Sequence, residues 1–576
     1  LEFFATDEAL AELESALSRA QASGTQAAQT RAGIAVAWQI RQRDTRRALR
    51  LAGEAGKHLT SEHFSPAEQR HLGARLQLIQ AEAQWLIGER DVGRTLAEAA
   101  LQAFVALEDD TGPDADAACA NAIGCADAHW LLAWLTLDQG DWARSASELE
   151  ATVAKASAFD AVRALIAQAA LARDEAFRNA AAAKEKWNAL YALDPAGIHP
   201  AAACWLENFW SVVASQSSDY VDSVRHKSAA YRWALSSGQH LRAMVIASNI
   251  GDNFNSLCDH LTALEWMQRA LDMARACAWP GEVGGALMQT ANALRGLQRF
   301  EAAAQMLREA VACMAQLTSS RDYALASLYL GEVELDRQAY ASALENFVLL
   351  EQRALALRQT DLLCDAQRGQ AKALLELGRP QPALQAAQAA IAGAGADAMG
   401  QIAALRVMAD IHTRHNLPPP TDMREASAAL HYLQQALDTA ASMENYLVPG
   451  DLYADLAREH AKLGSMAKAY ELSLQANRAW QTIHSTEAHN RANAMQVNHE
   501  IEKVRAEAEH QRQLAQVHAE RADALVQAKA TLEQLGEIGR EITASLDTDA
   551  IFSTLYRHVH ALLDVTLFAI DRLESD

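Results

Sequence analysis

Histidines are the first residues of this sequence whose types and spacing could do chemistry. In NHEIEKV (498–504), His499 precedes Glu500 and Ile501, the order of a helix whose imidazole accepts a phosphoryl group. Glu502, Lys503 and Val504 follow, and no Gly-rich nucleotide lid stands downstream, so His499 reads as a solvated histidine on a charged helix. His58 and His63 are five apart, His412 and His415 three, and His558 and His560 two. A zinc ion wants three or four converging donors, commonly with an i, i+4 pair on one helix face. None of these pairs brings a third ligand with it, so neither a metal nor a cofactor is expected. The phosphate-cradling G-x-x-x-x-G-K-[ST], the G-x-S-x-G elbow and the G-x-G-x-x-G turn are all missing. No set of catalytic residues remains, and the expected function of this chain is binding.

Composition narrows the partners. The 576 residues carry 51 Lys plus Arg against 73 Asp plus Glu, a formal charge of −22. A phosphate backbone needs a basic face, so nucleic acid is not expected. No run approaches the roughly 18 apolar residues of a membrane helix, and LEFFATDEAL (1–10) lacks the order of a signal peptide. Seven scattered cysteines with no C-x-x-C pair fit a reducing, cytoplasmic setting. The first residue is leucine rather than methionine, so a processed or truncated product is expected.

The elements that must position any binding residue are helices. Strand-like runs are nearly absent, and Ala, Leu, Gln, Glu and Arg dominate long segments punctuated by proline. Within them TALEWMQRAL (262–271), AAAQMLREAV (302–311), SALENFVLLE (342–351) and PALQAAQAAI (382–391) start 40 residues apart. Gly251, Ala291, Gly331 and Ala371 hold one equivalent small position, followed three residues on by Phe254, Leu294, Glu334 and Leu374. In the partner helices the small position is Ala263, Ala303, Ala343 and Ala383. Met267, Leu307, Phe347 and Ala387 come next, then Ala270, Ala310, Leu350 and Ala390. Small residues let antiparallel helices approach closely, and the larger ones fill the groove toward the next pair.

These residues resemble the tetratricopeptide repeat, most clearly in LYLGEVELDRQAYASALENFVLL (328–350) and YADLAREHAKLGSMAKAYELSLQA (453–476). Looser copies extend the resemblance over residues 25–480, behind a leading helix in 1–24. NLPPPTDMREAS (416–427) is expected to protrude as a loop. The resemblance implies an α-solenoid whose first helices line a concave face for a protein or peptide partner. Placed on the family pattern, Asn292, Arg295, Arg368, Lys372, Arg406, Arg458 and Lys462 fall on that face. Basic residues recurring there in an acidic chain point to an acidic partner, while Glu332, Asp336, Glu376 and Asp410 are available to pair with them internally.

Beyond Ala476 the period changes. Residues 481–533 read as a coiled-coil signalling helix, with a seam through Val497, Ile501, Val504, Ala508 and Leu525 and, on another phase, Leu532 and Leu535. Pairing of two copies through this seam, a homodimer, is expected. In 534–576, TASLD precedes an amphipathic helix from Ala550 to Leu563 and a strand, Val565–Ile570. This order resembles the opening of a GAF sensor domain, cut short. The whole is therefore all-α, with a superhelix, a signalling helix and an incomplete α/β start. It resembles the input region of bacterial diguanylate cyclases, in which the repeats precede GAF and GGDEF domains. Two other readings fit the repeats: a stand-alone scaffold or co-chaperone, and the input region of a histidine kinase or transcription regulator.

Overall fold

The computed structural model describes residues 2–59, 62–110, 115–395, 397–421, 423–443 and 446–543, with short pieces between 547 and 557. All regular structure among them is helical. The chain divides into two compact units, Leu1–Asn498 and His499–Asp576.

The first unit is an array of antiparallel helix pairs. A leading helix, Asp7–Ser23, is capped by the Thr6 hydroxyl, which accepts from the Ala9 N–H. Early pairs are Gln26–Ile40 with Thr45–Lys57, Pro66–Leu86 with Arg90–Asp110, and Ala115–Leu137 with Trp142–Ala156. Ala161–Arg178 has no single partner, and the short helices Ala180–Lys186 and Asn188–Tyr191 stand in its place. From Pro200 the pairs are regular. They are Pro200–Gln216 with Tyr220–Ser236, His240–Ser256 with His260–Cys277, and Pro280–Gly296 with Phe300–Cys313. Arg321–Asp336 with Tyr340–Leu357, Thr360–Glu376 with Pro380–Ala394, and Ala398–Arg414 with Ala428–Ala441 follow.

The repeat positions are the contact positions. Ala263, Ala303, Ala343 and Ala383 are buried, as are Met267, Leu307, Phe347 and Ala387 beside them. A Cβ on Gly331 would lie 2.7 Å from the Phe347 ring, and one on Gly369 of the next pair would also collide with it. Phe347 therefore packs between two helices that approach on backbone alone. Glu334 breaks the apolar pattern of its column, yet it is buried, and Arg308 and Arg337 hold it at 3.2 and 2.5 Å.

The turns repeat as strictly as the helices. Ser218, Cys258, Gln298, Gln338 and Gly378 all have left-handed backbones, with φ between 58° and 69°, and they too are 40 residues apart. Only one of the five is glycine, so the helix crossing, rather than local preference, holds the other four there. Between pairs, the first helices touch one another: His240–Ser256 meets Pro280–Gly296, which meets Arg321–Asp336, and so on through Thr360–Glu376 to Ala398–Arg414. Closer spacing on that side makes it the inner face.

The N-terminal pairs are tied by charge as well as by packing. Asp127 is fully buried between Arg75 and Arg163, with Arg163 Nε 2.9 Å from its carboxylate. Arg75 also lies over the Trp38 ring at 4.7 Å. Burial opposes the ionisation of Asp127, but the two guanidiniums outweigh it and hold the carboxyl below the usual carboxylate range.

The helix of the last repeat and the charged stretch after it are one helix, Met466–Thr543, of 78 residues. The segment between Arg414 and Ala428 contains no helix among its described residues. Its Glu425 takes a hydrogen bond from His431 at 2.6 Å, which ties the loop to the helix that follows. In the second unit, 551–553 and 555–557 are helical. The remainder of the Ala550–Leu563 helix and the Val565–Ile570 strand lie outside the described residues.

Two outcomes follow from this packing. Gln338→Gly relieves a left-handed backbone and is expected to stabilise by about 0.5–1 kcal/mol, while Gln338→Val destabilises by about 1–2 kcal/mol; the thermal midpoint by circular dichroism reads both. Asp127→Asn leaves two buried guanidiniums short of a counter-charge and is expected to cost about 3–5 kcal/mol. Because the folded pKa of Asp127 is depressed, its stabilisation is present above the unfolded carboxyl value, near pH 4. It is lost as pH falls through the lower folded value. Urea denaturation followed by tryptophan fluorescence should therefore show the gap between the two proteins narrowing in acid.

Candidate functional site

The inner face widens into a groove of about 670 Å³ between Pro280–Gly296 and Gly450–Lys462. Each inner helix contributes residues from one face, the first two from their last turns and the later ones from along their length. Arg295 comes from the first, Glu332, Leu335 and Asp336 from the second, and Asp365, Arg368, Lys372, Leu375 and Glu376 from the third. Arg406, Val407, Asp410 and Thr413 follow from Ala398–Arg414, and Asp455, Arg458 and Glu459 from Gly450–Lys462. Tyr340, Phe347 and Leu433 of the outer helices give the floor its apolar patches.

Five of the seven residues placed on this face from the repeat pattern line the groove, all of them cations: Arg295, Arg368, Lys372, Arg406 and Arg458. Asn292 lies with Arg295 in a separate shallow depression beside His260 and Phe300. Lys462 is not among the lining residues and pairs with Glu459 at 2.6 Å.

Most of these charges are engaged within the chain. Arg295 sits 2.5 Å from both Glu332 and Asp336. Burial works against its charge, but those two carboxylates raise its pKa. Arg368 meets Asp365 at 2.7 Å, and Asp455 bridges Arg406 at 2.9 Å and Arg458 at 2.8 Å. Glu376 and Asp410, the other carboxylates available for pairing, instead hold Arg414. Five cations face seven carboxylates around the groove, a formal balance of −2. Of the two arrangements open to these basic residues, an acidic partner or internal pairing with the neighbouring carboxylates, the internal ion pairs are formed at Arg295, Arg368, Arg406 and Arg458. Such pairs form because the inner helices lie close enough for side chains 37 to 49 residues apart to meet.

Lys372 is the exception. Among the described residues it takes part in no ion pair, and it lies where Arg295, Arg368 and Arg406 surround it. Displacement of water by the groove walls lowers its pKa first, then the field of Arg368, with Glu332 pulling the other way. The Nε atoms of Arg368 and Arg406, on either side, are buried without a hydrogen-bond partner. A carboxylate or carbonyl entering here would meet one uncommitted ammonium and two guanidiniums with donors to spare.

The proposed seam residues are placed unevenly. Val497 is 2% exposed and so is covered by its own chain, whereas Leu525, Leu532 and Leu535 are 70, 69 and 50% exposed. The side chains of Ile501, Val504 and Ala508 lie outside the described residues. His499 is exposed, and His412 stacks on Tyr432. Among the described residues no group of three or more His, Cys, Asp or Glu is placed to hold a metal ion. No helix among them is long and apolar enough to cross a membrane.

Sequence reasoning missed Asp455, the carboxylate that organises two of the arginines, and a second concavity lined by Trp85, Trp130, Trp134, Trp142 and Trp205. The available signal was the crowding of eight of the twelve tryptophans before residue 211.

No protein-family model matches the chain, and comparison with curated proteins finds no match. Among solved structures, the chain is similar to a Rap protein complexed with competence and sporulation factor, at 12% identity over 73% of this chain and all of that one, with a TM-score of 0.42. It is also similar to the apo form of the quorum sensor NprR from B. thuringiensis, at 15% identity over 65% of this chain and 99% of that one (TM-score 0.44). A tetratricopeptide repeat protein from Parabacteroides merdae is similar at 14% identity over 50% of this chain and 96% of that one, with a TM-score of 0.32.

Proposed function

We propose that this chain is a peptide-binding input module: its inner groove takes an extended segment of a protein partner and anchors it by a carboxylate at Lys372. The single observation behind this reading is the contrast between Lys372, which forms no ion pair among the described residues, and the paired arginines around it. A groove already balanced at −2 repels a run of acidic residues, so the favoured segment carries one carboxylate, a C-terminal one included, flanked by apolar or uncharged residues. Leu335, Val407 and Leu433 supply the complementary apolar surface. Occupancy would be passed to an output domain through the helix Met466–Thr543, by a change in the docking of the last repeats.

The resemblance of residues 490–552 to diguanylate cyclases makes cyclic-di-GMP synthesis the proposed output, carried by residues beyond this chain. The exposed Leu525, Leu532 and Leu535 support pairing of two copies along the helix. In that arrangement a rotation or register shift reaches both outputs together.

Fluorescein-labelled pentapeptide libraries with free and with amidated C-termini test the groove by polarisation. Peptides with a free carboxylate are expected to bind and to weaken about tenfold or more with Lys372→Glu, while Lys372→Arg retains them. Arg368→Glu and Arg458→Glu act in the same direction. Equal binding of amidated peptides, or full binding by Lys372→Glu, rejects the anchor. Sedimentation of the chain with and without residues 485–576 tests the pairing: a dimer that becomes a monomer is expected, and a monomer in both cases rejects it.

A further inference from the structure

A second concavity, of about 340 Å³, lies where the array bends back on itself. Three long-range contacts close it. The Arg321 N–H donates to the Asp138 carbonyl at 3.4 Å, Gln359 Nε2 to the Gln139 carbonyl at 3.0 Å, and the Leu241 N–H to Gln42 Oε1 at 3.3 Å. Its floor is indole. Trp130 meets Trp134 and Trp205 edge-on at 5.3 and 5.2 Å, and Trp85 and Trp142 complete the wall. Trp142 remains 43% exposed although it sits in this concavity.

Two charged groups flank the floor. The first is Asp138, Glu282 and Asp322 around Arg90, whose guanidinium lies 2.6 Å from Asp138. Arg321 is turned away toward Gln359 and Asp361. Glu282 has no hydrogen bond or ion pair among the described residues. The second group is Arg173 and Arg242, which lie 5.9 and 4.2 Å over the Trp205 ring. Arg173 lines the cavity at 7% exposure, and its Nε and Nη1 have no hydrogen-bond partner among the described residues; its Nη2 lies 3.1 Å from Asp174 as an ion pair. The carboxylates act on one another and on Arg90, while Arg242 feels Arg173, Cys204 and Asp174.

A cation alone would leave the Arg173 donors buried and unmatched, and an anion alone would leave Glu282 without a partner. The first omission is costly away from water, and the second leaves the field of three carboxyl groups unused, of which Glu282 is partly open to solvent. We propose that the cavity binds a small zwitterion with an apolar body, of the class of an aromatic amino acid or its dipeptide. Its ammonium meets Asp138, Glu282 and Asp322, its body lies on the indole floor, and its carboxylate meets Arg173. The volume is in the range of small-molecule sites, which are mostly apolar with a few placed polar groups, and indole faces favour a neighbouring ammonium.

Protonation of the carboxylates couples to binding. Burial, followed by the charges of Asp322 and Asp138, pushes Glu282 up to about 8 against the pull of Arg90. Burial likewise pushes Asp138 up to about 7, with Arg90, Arg94 and the Trp85 N–H pulling down and Asp322 pushing up. Glu82, the other carboxylate lining the cavity, is held by Arg41 at 2.6 Å. An ammonium must displace protons held in this cluster, so affinity rises as pH is raised from about 6 to about 7.5, and falls again where the ligand's own amine loses its proton.

Tryptophan fluorescence of the full chain, titrated with four probes sharing a phenyl body, tests the site. L-phenylalanine or glycyl-phenylalanine is expected to give a saturable change about tenfold or more tighter than phenethylammonium or hydrocinnamate. Glu282→Gln and Arg173→Lys each weaken the zwitterion about tenfold with helical content unchanged, and Lys372→Glu in the other groove leaves it unaltered. Should Arg173→Lys fail to fold, Glu282→Gln carries the test. Saturation by neither zwitterion, equal binding of a singly charged probe, or unchanged affinity in Glu282→Gln overturns the proposal.

Discussion

The array depends on one constraint, the closeness with which two antiparallel helices cross every 40 residues. Phe347 shows how it works. The ring fills the space left by the missing side chains of Gly331 and Gly369, so three helices are locked by one residue and two absences. Such packing fixes the angle at which each helix leaves the crossing, and the next turn must accept that angle. At Cys258, Gln298 and Gln338 it does so with a left-handed backbone on a residue that disfavours it. The local strain is small beside the burial of a Met, Leu or Phe side chain at the adjoining crossing, about 1.5–3 kcal/mol for each.

The same spacing creates the inner face and its electrostatics. First helices of successive pairs lie close enough that an arginine on one reaches carboxylates on the next, as Arg295 reaches Glu332 and Asp336. Partly exposed pairs of this kind contribute little to stability, about 0–1 kcal/mol each. They bring the face close to charge balance and leave Lys372 without an ion pair among the described residues, so in the proposed binding mode position in the groove would matter more than the net charge of a partner. The N-terminal pairs use charge differently. There the Arg75–Asp127–Arg163 cluster is sealed from water, and removal of one member is felt as an uncompensated buried charge.

The legible part of the sequence was the part governed by contacts within one or two repeats. Alanine and glycine positions identified the crossings, and the same alignment placed Arg295, Arg368, Lys372, Arg406 and Arg458 on the inner helices. What escaped needed distances that sequence does not encode. Asp455 joins Arg406 from 49 residues away across the irregular 416–427 loop, which offsets the repeat period. The left-handed turns were hidden because glutamine, serine or cysteine occupies them. The tryptophan cavity joins residues 4 to 205 with residues 239 to 322, and only the bend of the whole first unit brings them together. The change of period near Ala476 falls inside one continuous helix from Met466, because a heptad-like phase and a repeat phase can follow one another without a break in backbone hydrogen bonding.

Two inner helices join the two concavities. Pro280–Gly296 begins with Glu282 in the tryptophan cavity and ends with Arg295 in the groove; Arg321–Asp336 begins with Asp322 in the cavity and ends with Glu332 and Asp336 in the groove. Each carries acid in its first turn, where the helix dipole favours negative charge, and Pro280–Gly296 carries Arg295 in its last, where the dipole favours positive charge. Burial, with Asp322 and Asp138 beside it, overrides that preference at Glu282 and pushes its carboxyl up to about 8. An ammonium placed there would restore its charge and anchor the helix start, while a partner engaging Arg295 or Glu332 loads the helix end. Coupling between the sites then requires only that these two rods have two packed positions, since a ligand shifts an equilibrium by its differential affinity for the states and by no more. The crossings that lock Phe347 make a continuous slide costly, so any such movement would be a discrete change of packing.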